Sequence, residues 1–264
     1  MGDGRASFDR CATRRWRLKA RAFLIHLSIS LLIALLAAAL VFGVWYPRPF
    51  RVLSGGGELF LLVVVVDVVL GPLVTFVVFN PRKSRREKWL DFSVIGVLQL
   101  AALVYGLHTI HDARPVHAVF EYNRFRVVHA NDVPPEWLAR TPAGITALPL
   151  TGPTWLSLRP LVGNEVADYT MRAMGGVQVS AHPELWQPYE AGRPAILAAA
   201  RPMAELEKTH PQDAALIRRG IAQSGHSADA LRYLPIQGRN GVVWTVLLDA
   251  KTALPLAFVP LDSF

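Results

Sequence analysis

Cysteine is almost absent from this chain of 264 residues. The single thiol, Cys11, excludes an internal disulfide and a cysteine-based zinc site. Charge is sparse as well, at 18% of residues, and it is unevenly placed. Residues 1–114 hold 15 Lys and Arg against 7 Asp and Glu, while residues 115–264 hold 13 of each. The net charge of +8 therefore sits beside apolar segments, which argues against a basic nucleic-acid face. Catalytic signatures are missing: no G-x-S-x-G, P-loop, H-E-x-x-H or dinucleotide fingerprint occurs. No solenoid repeat and no low-complexity tract beyond the apolar runs is present.

What the chain has in quantity is long apolar runs. Leu59 to Phe79 is broken by one acid, Asp67, and by Gly71-Pro72. At about 1.5 Å per residue it is roughly 31 Å long as a helix, the thickness of a bilayer's hydrocarbon core. A buried strand would end sooner. A second run, residues 22–46, closes in Trp45-Tyr46-Pro47, an aromatic interfacial end, and a third covers residues 92–107. A cleaved signal peptide is the rival reading of the first run, but Ala37-Ala38-Ala39 lies inside the run rather than after it. The expectation is thus three transmembrane helices, at about 22–46, 59–79 and 92–107, forming a membrane domain over residues 22–107. Residues 47–58 read as a short connection made flexible by Gly55-Gly56-Gly57.

Basic loops stay in the cytoplasm. Residues 1–21 form a basic arm with seven Lys and Arg, and five more stand between Asn80 and Asp91. That pattern puts the N-terminus inside and everything after about His108 outside, in the periplasm of a Gram-negative cell. Residues 115–264 then form a periplasmic domain large enough for its own core. A hairpin is predicted across Tyr122-Asn123-Arg124, helices at Glu165 to Met174 and Pro211 to Ala222, and a three-stranded meander from Arg232 to Val259. The fold class expected is three transmembrane α-helices followed by an α+β domain with an antiparallel sheet, and this domain is expected to fold when expressed alone.

Candidate chemistry is thin. His108 and His111 share a helix face beside Asp112, but spacing supplies no third metal ligand, so no metal, cofactor or catalytic residue is assigned. Asp67 stands apart, because a carboxyl near mid-membrane costs roughly 2.5–3.5 kcal/mol on insertion scales and needs a partner or a proton. Counting depth from the run ends puts Tyr105 at its level, Gln99 about 7 Å deeper and His26 near Thr75, so Tyr105 is the best intramolecular partner for the carboxyl, with Gln99 reachable through water or tilt. Pro72 removes a backbone donor and Gly71 lets a neighbouring helix approach, so Asp67, Gly71, Pro72 and Tyr105 make up the candidate intramembrane partner site. Two readings stay open: a protonated acid holding the three spans together, or a contact to another membrane protein.

Six segments carry a resemblance. They are WRLKARAFLIHLSISLLIALL, VFGVWYPRPF, GGGELFLLVVVVDVVLGPLVTFVVFNPRK, LQLAALVYGLHTIHDARPVHAVFEYNRFRVVHANDV, LPLTGP at Leu148 to Pro153 and the C-terminal YLPIQGRNGVVWTVLLDAKTALPLAFVPLD. Their most specific motifs are D-x-x-L-G-P-L at Asp67 to Leu73 and E-x-x-R-F-R-V-V at Glu121 to Val128. The chain resembles the type IV pilin accessory proteins, also called fimbrial assembly membrane proteins. That resemblance implies a multi-pass inner-membrane protein, not an enzyme, needed for a cognate type IV pilin's stability or assembly, with other pilus assembly membrane proteins as further partners and no nucleic acid. A membrane-anchored periplasmic sensor and a pilin- or lipid-modifying enzyme are the alternatives from other classes.

Overall fold

The computed structural model describes the chain from Asp3, with side chains from Trp16 to Phe264. Cys11 and the arginines at 5, 10, 14 and 15 lie outside the described side chains. Contacts divide the chain into two units, residues 1–43 with 57–111 and residues 44–56 with 112–264.

The first unit is helical. α1 (Asp3–Leu40) continues as a π-helical turn to Trp45. After a short helix α2 (Phe50–Leu53) comes a second long helix in three parts: α3 (Gly56–Val64), a π-helical segment (Val65–Leu70) and α4 (Gly71–Val78). α5 (Arg85–Asp112) is the third. Three stretches, Trp16–Trp45, Gly56–Val78 and Arg85–Asp112, are long and apolar enough to cross a membrane. α5 starts earlier than the apolar run because Ser84 and Glu87 form a capping box: the Ser84 amide donates to Glu87 Oε2 at 2.7 Å and the Glu87 amide to Ser84 Oγ at 3.2 Å. Its basic first turn is thus already helical.

The second unit is built on one sheet of β1 (Pro115–Glu121), β2 (Arg124–His129), β3 (Thr154–Leu158), β4 (Trp186–Pro188), β5 (Arg201–Pro202), β6 (Leu231–Gln237), β7 (Val243–Asp249) and β8 (Pro255–Val259). The order is β4-β3-β1-β2-β6-β7-β8, with β5 also on β6. The hairpin and the meander form as expected from the sequence. The sheet, however, is mixed and not antiparallel, because β1 pairs with β3, and β2 with β6, in parallel. Long connections make this possible: β2 and β6 are separated by about a hundred residues, and a parallel neighbour needs such a crossover.

With α2, four further α-helices belong to this unit: α6 (Glu165–Met174), α7 (Tyr189–Ala199), α8 (Met203–Thr209) and α9 (Ala214–Ser224). Period-two alternation in the meander serves both faces. Leu231, Tyr233 and Leu247 pack on Met203, Leu206 and Ile217. Leu234, Ile236, Val246 and Leu248 pack on Phe125, Tyr189 and Ile196.

Residues 47–58 overturn one expectation. Phe50 and Leu53 are buried in that second core, with Phe50 edge-on to Trp155 and Phe258 at 6.4 and 6.0 Å. Gly152 donates its amide to the Val44 carbonyl at 2.9 Å, and a Cβ on Gly238 would lie 2.0 Å from the Leu53 carbonyl oxygen. Tyr46, placed at an interface by its sequence context, is fully buried with its ring against Gly56. The connection is a core segment and not a flexible loop, since its apolar side chains have a sheet face to cover.

Candidate intramembrane partner site

The site grows from one backbone irregularity. In a regular α-helix the Asp67 carbonyl would accept the Gly71 amide, four residues on. Here the Gly71 amide donates to Val66, five residues back, and Pro72 has no amide to give. Gln99 of α5 fills the gap, its Nε2 donating to the Asp67 carbonyl at 3.2 Å. Gly71 makes that approach possible, because a Cβ there would stand 1.7 Å from Gln99 Nε2. A second close approach comes at Gly106, where a Cβ would meet Val63 Cγ2 at 2.6 Å. The two glycines set α5 against the second helix, as small residues do between membrane helices.

α1 is tied to the same helix from another side. His26 Nδ1 and the hydroxyl of buried Thr75 are 2.6 Å apart, the pair whose depths matched in the sequence. Ser30, also buried, stands one turn on from His26. The Asp67 side chain is 7% exposed, and neither carboxyl oxygen has a hydrogen-bond partner among the described residues. It borders a cavity of about 190 Å³ with His26, Ser30, Gly96 and Gln99.

Asp67, Gly71 and Pro72 are therefore brought together. Tyr105 is not. It is 74% exposed and does not border the cavity. Depth alone chose it, but a helix turns about 100° per residue, so a position six from Gln99 lies well off its face. The residues that do face Asp67 follow a helical stripe, Gly96, Gln99, Leu100 and Leu103. That i, i+3, i+4, i+7 spacing was the available signal.

The second unit's polar clusters are structural in geometry. His117 is fully buried, with Nδ1 2.7 Å from Thr154 Oγ1 and Nε2 2.9 Å from the Ala147 carbonyl, and burial pushes its imidazole down to about 4. Ser180, His182 and Glu184 are the residue types of a nucleophile, base and orienting acid, and His182 Nδ1 is 3.3 Å from Glu184. Yet Ser180 Oγ and His182 Nε2 make no hydrogen bond and both residues are fully buried, so a substrate has no access to a nucleophile there. Among the described residues no group of three His, Cys, Asp or Glu could hold a metal ion.

Comparison with known proteins decides the family. The chain is 32% identical over 256 residues to the fimbrial assembly protein of serogroup I from Dichelobacter nodosus, covering 95% of this chain and 98% of that one. The chain belongs to the fimbrial assembly protein family. The serogroup E1 protein of the same organism is 30% identical over 253 residues, with the same coverage. The protein of serogroups C1 and C2 is 42% identical over 120 residues, 46% of this chain and 92% of that one. The family model "Fimbrial assembly protein FimB" matches residues 14–55, which take in the first apolar helix and the connection carrying Phe50 and Leu53. No solved structure matches the chain. In this fimbrial assembly protein the family model therefore covers His26 and Ser30 of the intramembrane site as well as the segment buried in the sheet domain.

Proposed function

We propose that this protein is an inner-membrane accessory of type IV pilus biogenesis that holds and stabilises a cognate pilin before assembly, without catalysing a reaction. The observation that carries the reading is the end-to-end likeness to fimbrial assembly proteins, 32% over 95% of the chain. Two features support it. Asp67 is a buried acid in an apolar helix whose carboxyl has no hydrogen-bond partner among the described residues, as a protein that receives another membrane helix would need. The same chain carries both apolar spans and a folded domain, the two kinds of surface that a client with a membrane helix and a soluble head would need. Deleting the chain is expected to deplete the pilin and abolish surface piliation, and the tagged protein to recover that pilin from detergent-solubilised membranes. Normal pilin levels and piliation in the deletion strain would refute the reading.

The orientation proposed has the N-terminus in the cytoplasm and the sheet domain in the periplasm, as the basic arm and the basic loop at Arg82–Lys88 require. Residues 44–56 share a core with residues 112–264, so both must lie on one side of the membrane, which three crossings satisfy. An alkaline phosphatase fusion after Asp112 is expected to be active and one after Lys88 inactive. The reverse result would place the domain in the cytoplasm.

A further inference from the structure

The cavity at Asp67 adjoins a larger groove between α1 and α5. That groove, about 560 Å³, shares His26, Ile29, Gly96 and Gln99 with the cavity. Along α1 the lining runs from Leu18 to Ile33, roughly 23 Å or four helical turns. Its lining is mostly apolar, with Arg21, His26 and Gln99 as the polar members, and the adjoining cavity adds Asp67 and Ser30. Gly96 stands in the α5 wall with no atom within 4 Å of where a Cβ would be, so the wall is notched at the level of the acid.

The occupant follows from the chemistry of those polar groups. An acyl chain would fill the walls and leave the carboxyl desolvated without a donor, at a cost that membrane interiors do not offset. An apolar helix carrying one hydroxyl, amide or cationic side chain would fill the walls, enter the notch at Gly96 and give Asp67 a donor. We propose that the groove between α1 and α5 receives the membrane-spanning helix of the client pilin, with Asp67 accepting a hydrogen bond from a polar side chain on that helix. This rests on the pilin-accessory reading above and adds where and how the client is held.

The test uses the full-length tagged protein in the piliated host. A photo-crosslinking side chain at position 96, facing the groove, is compared with one at position 98, where Leu98 is exposed on another face of α5. An adduct with pilin at 96 and not at 98 is the expected result. Pilin recovery with no adduct at 96, an adduct at 98 alone, or an adduct at 96 with a second copy of this chain or with lipid would overturn the groove while leaving the accessory role intact. Failure of the unsubstituted protein to recover pilin removes the accessory role and the groove with it.

Substitutions give a second readout. Gly96→Leu fits the open notch, so the protein's abundance should hold while pilin recovery falls at least about tenfold by steric block. Ile29→Phe, from the opposite wall, is the second blocker should Gly96→Leu lower abundance. Asp67→Leu at normal abundance should cut recovery roughly 3- to 18-fold, the range for one hydrogen bond within a membrane. Asp67→Asn, which keeps an acceptor, should lose less. Gly71→Ala is the structural control: its collision with Gln99 should lower abundance of the protein itself. Undiminished pilin recovery in stably expressed Gly96→Leu and Asp67→Leu strains would refute the proposal.

Discussion

A soluble fragment of Pro115–Phe264 is expected to show no cooperative thermal melt, and a synthetic peptide of residues 44–56 added in trans is expected to restore one. The fragment lacks Phe50 and Leu53, which are 5% and 0% exposed in the core beneath the sheet. Truncating a buried Leu costs about 2–5 kcal/mol and a buried Phe about 3–5 kcal/mol. Losing both removes an amount comparable with the whole stability of a domain, about 5–15 kcal/mol. In the intact protein Leu53→Ala alone should make the domain protease-sensitive in detergent. Gly238→Ala should act similarly, because its Cβ would collide with the Leu53 backbone, which cannot move as a side-chain tip can. A sharp melt of the isolated fragment, unchanged by the peptide, would show that the connection is dispensable. The burial of Phe50 and Leu53 thus predicts the opposite of a fragment that folds alone.

Replacing Glu121 with Leu should lower the domain's melting temperature by roughly 6–12 °C. The Glu121 carboxylate is 3% exposed and accepts from Arg124 Nε at 3.0 Å and from Arg126 Nε at 3.1 Å. Arg126 also donates to Gln178 and Gln237, so the cluster joins β2 to the end of β6 and to the loop before Val179. Deleting one member of a buried pair leaves its partner's charge uncompensated, about 3 kcal/mol, and each kcal/mol moves the midpoint of a domain this size by about 2–4 °C. Arg126→Leu should cost a similar amount, since Arg126 is 14% exposed at its side chain. The double variant Glu121→Leu/Arg126→Leu should cost less than the sum, because it removes the stranded charge. Tryptophan fluorescence melts of the purified protein measure all three. Additive losses, or a Glu121→Leu shift below about 2 °C, would mean that the cluster is solvated and not structural.

Glu121 and Arg124 flank the hairpin turn, with Tyr122 in the left-handed region at φ 57°, so the E-x-x-R part of the motif is a turn with an ion pair across its neck. The ion pair comes from the structure, while the hairpin, the three apolar helices, the bounds of α6 and the C-terminal meander were readable from spacing. These features are local: hydrophobic period, turn residues and span length are set within a few residues of one another. The prominence of Asp67, Gly71 and Pro72 was local too, since an acid, a missing Cβ and a missing amide are properties of the residues themselves.

Tertiary structure alone decided the rest. Parallel pairing of β2 with β6 depends on a crossover of about a hundred residues, and no local pattern encodes which strands meet. Residues 47–58 look like a loop because they contain three consecutive glycines, and their core role is visible only when Phe50 and Leu53 meet Trp155 and Phe258. Gln99 reaches the Asp67 carbonyl while Tyr105 faces away from the Asp67 carboxyl, because depth along a helix is written in the sequence while the direction a residue faces depends on how the helices pack. The groove beside Asp67 is likewise a product of packing: the second helix touches α5 at Gly71 and Gly106 and is tied to α1 through His26 and Thr75, and the space left between α1 and α5 belongs to no single segment.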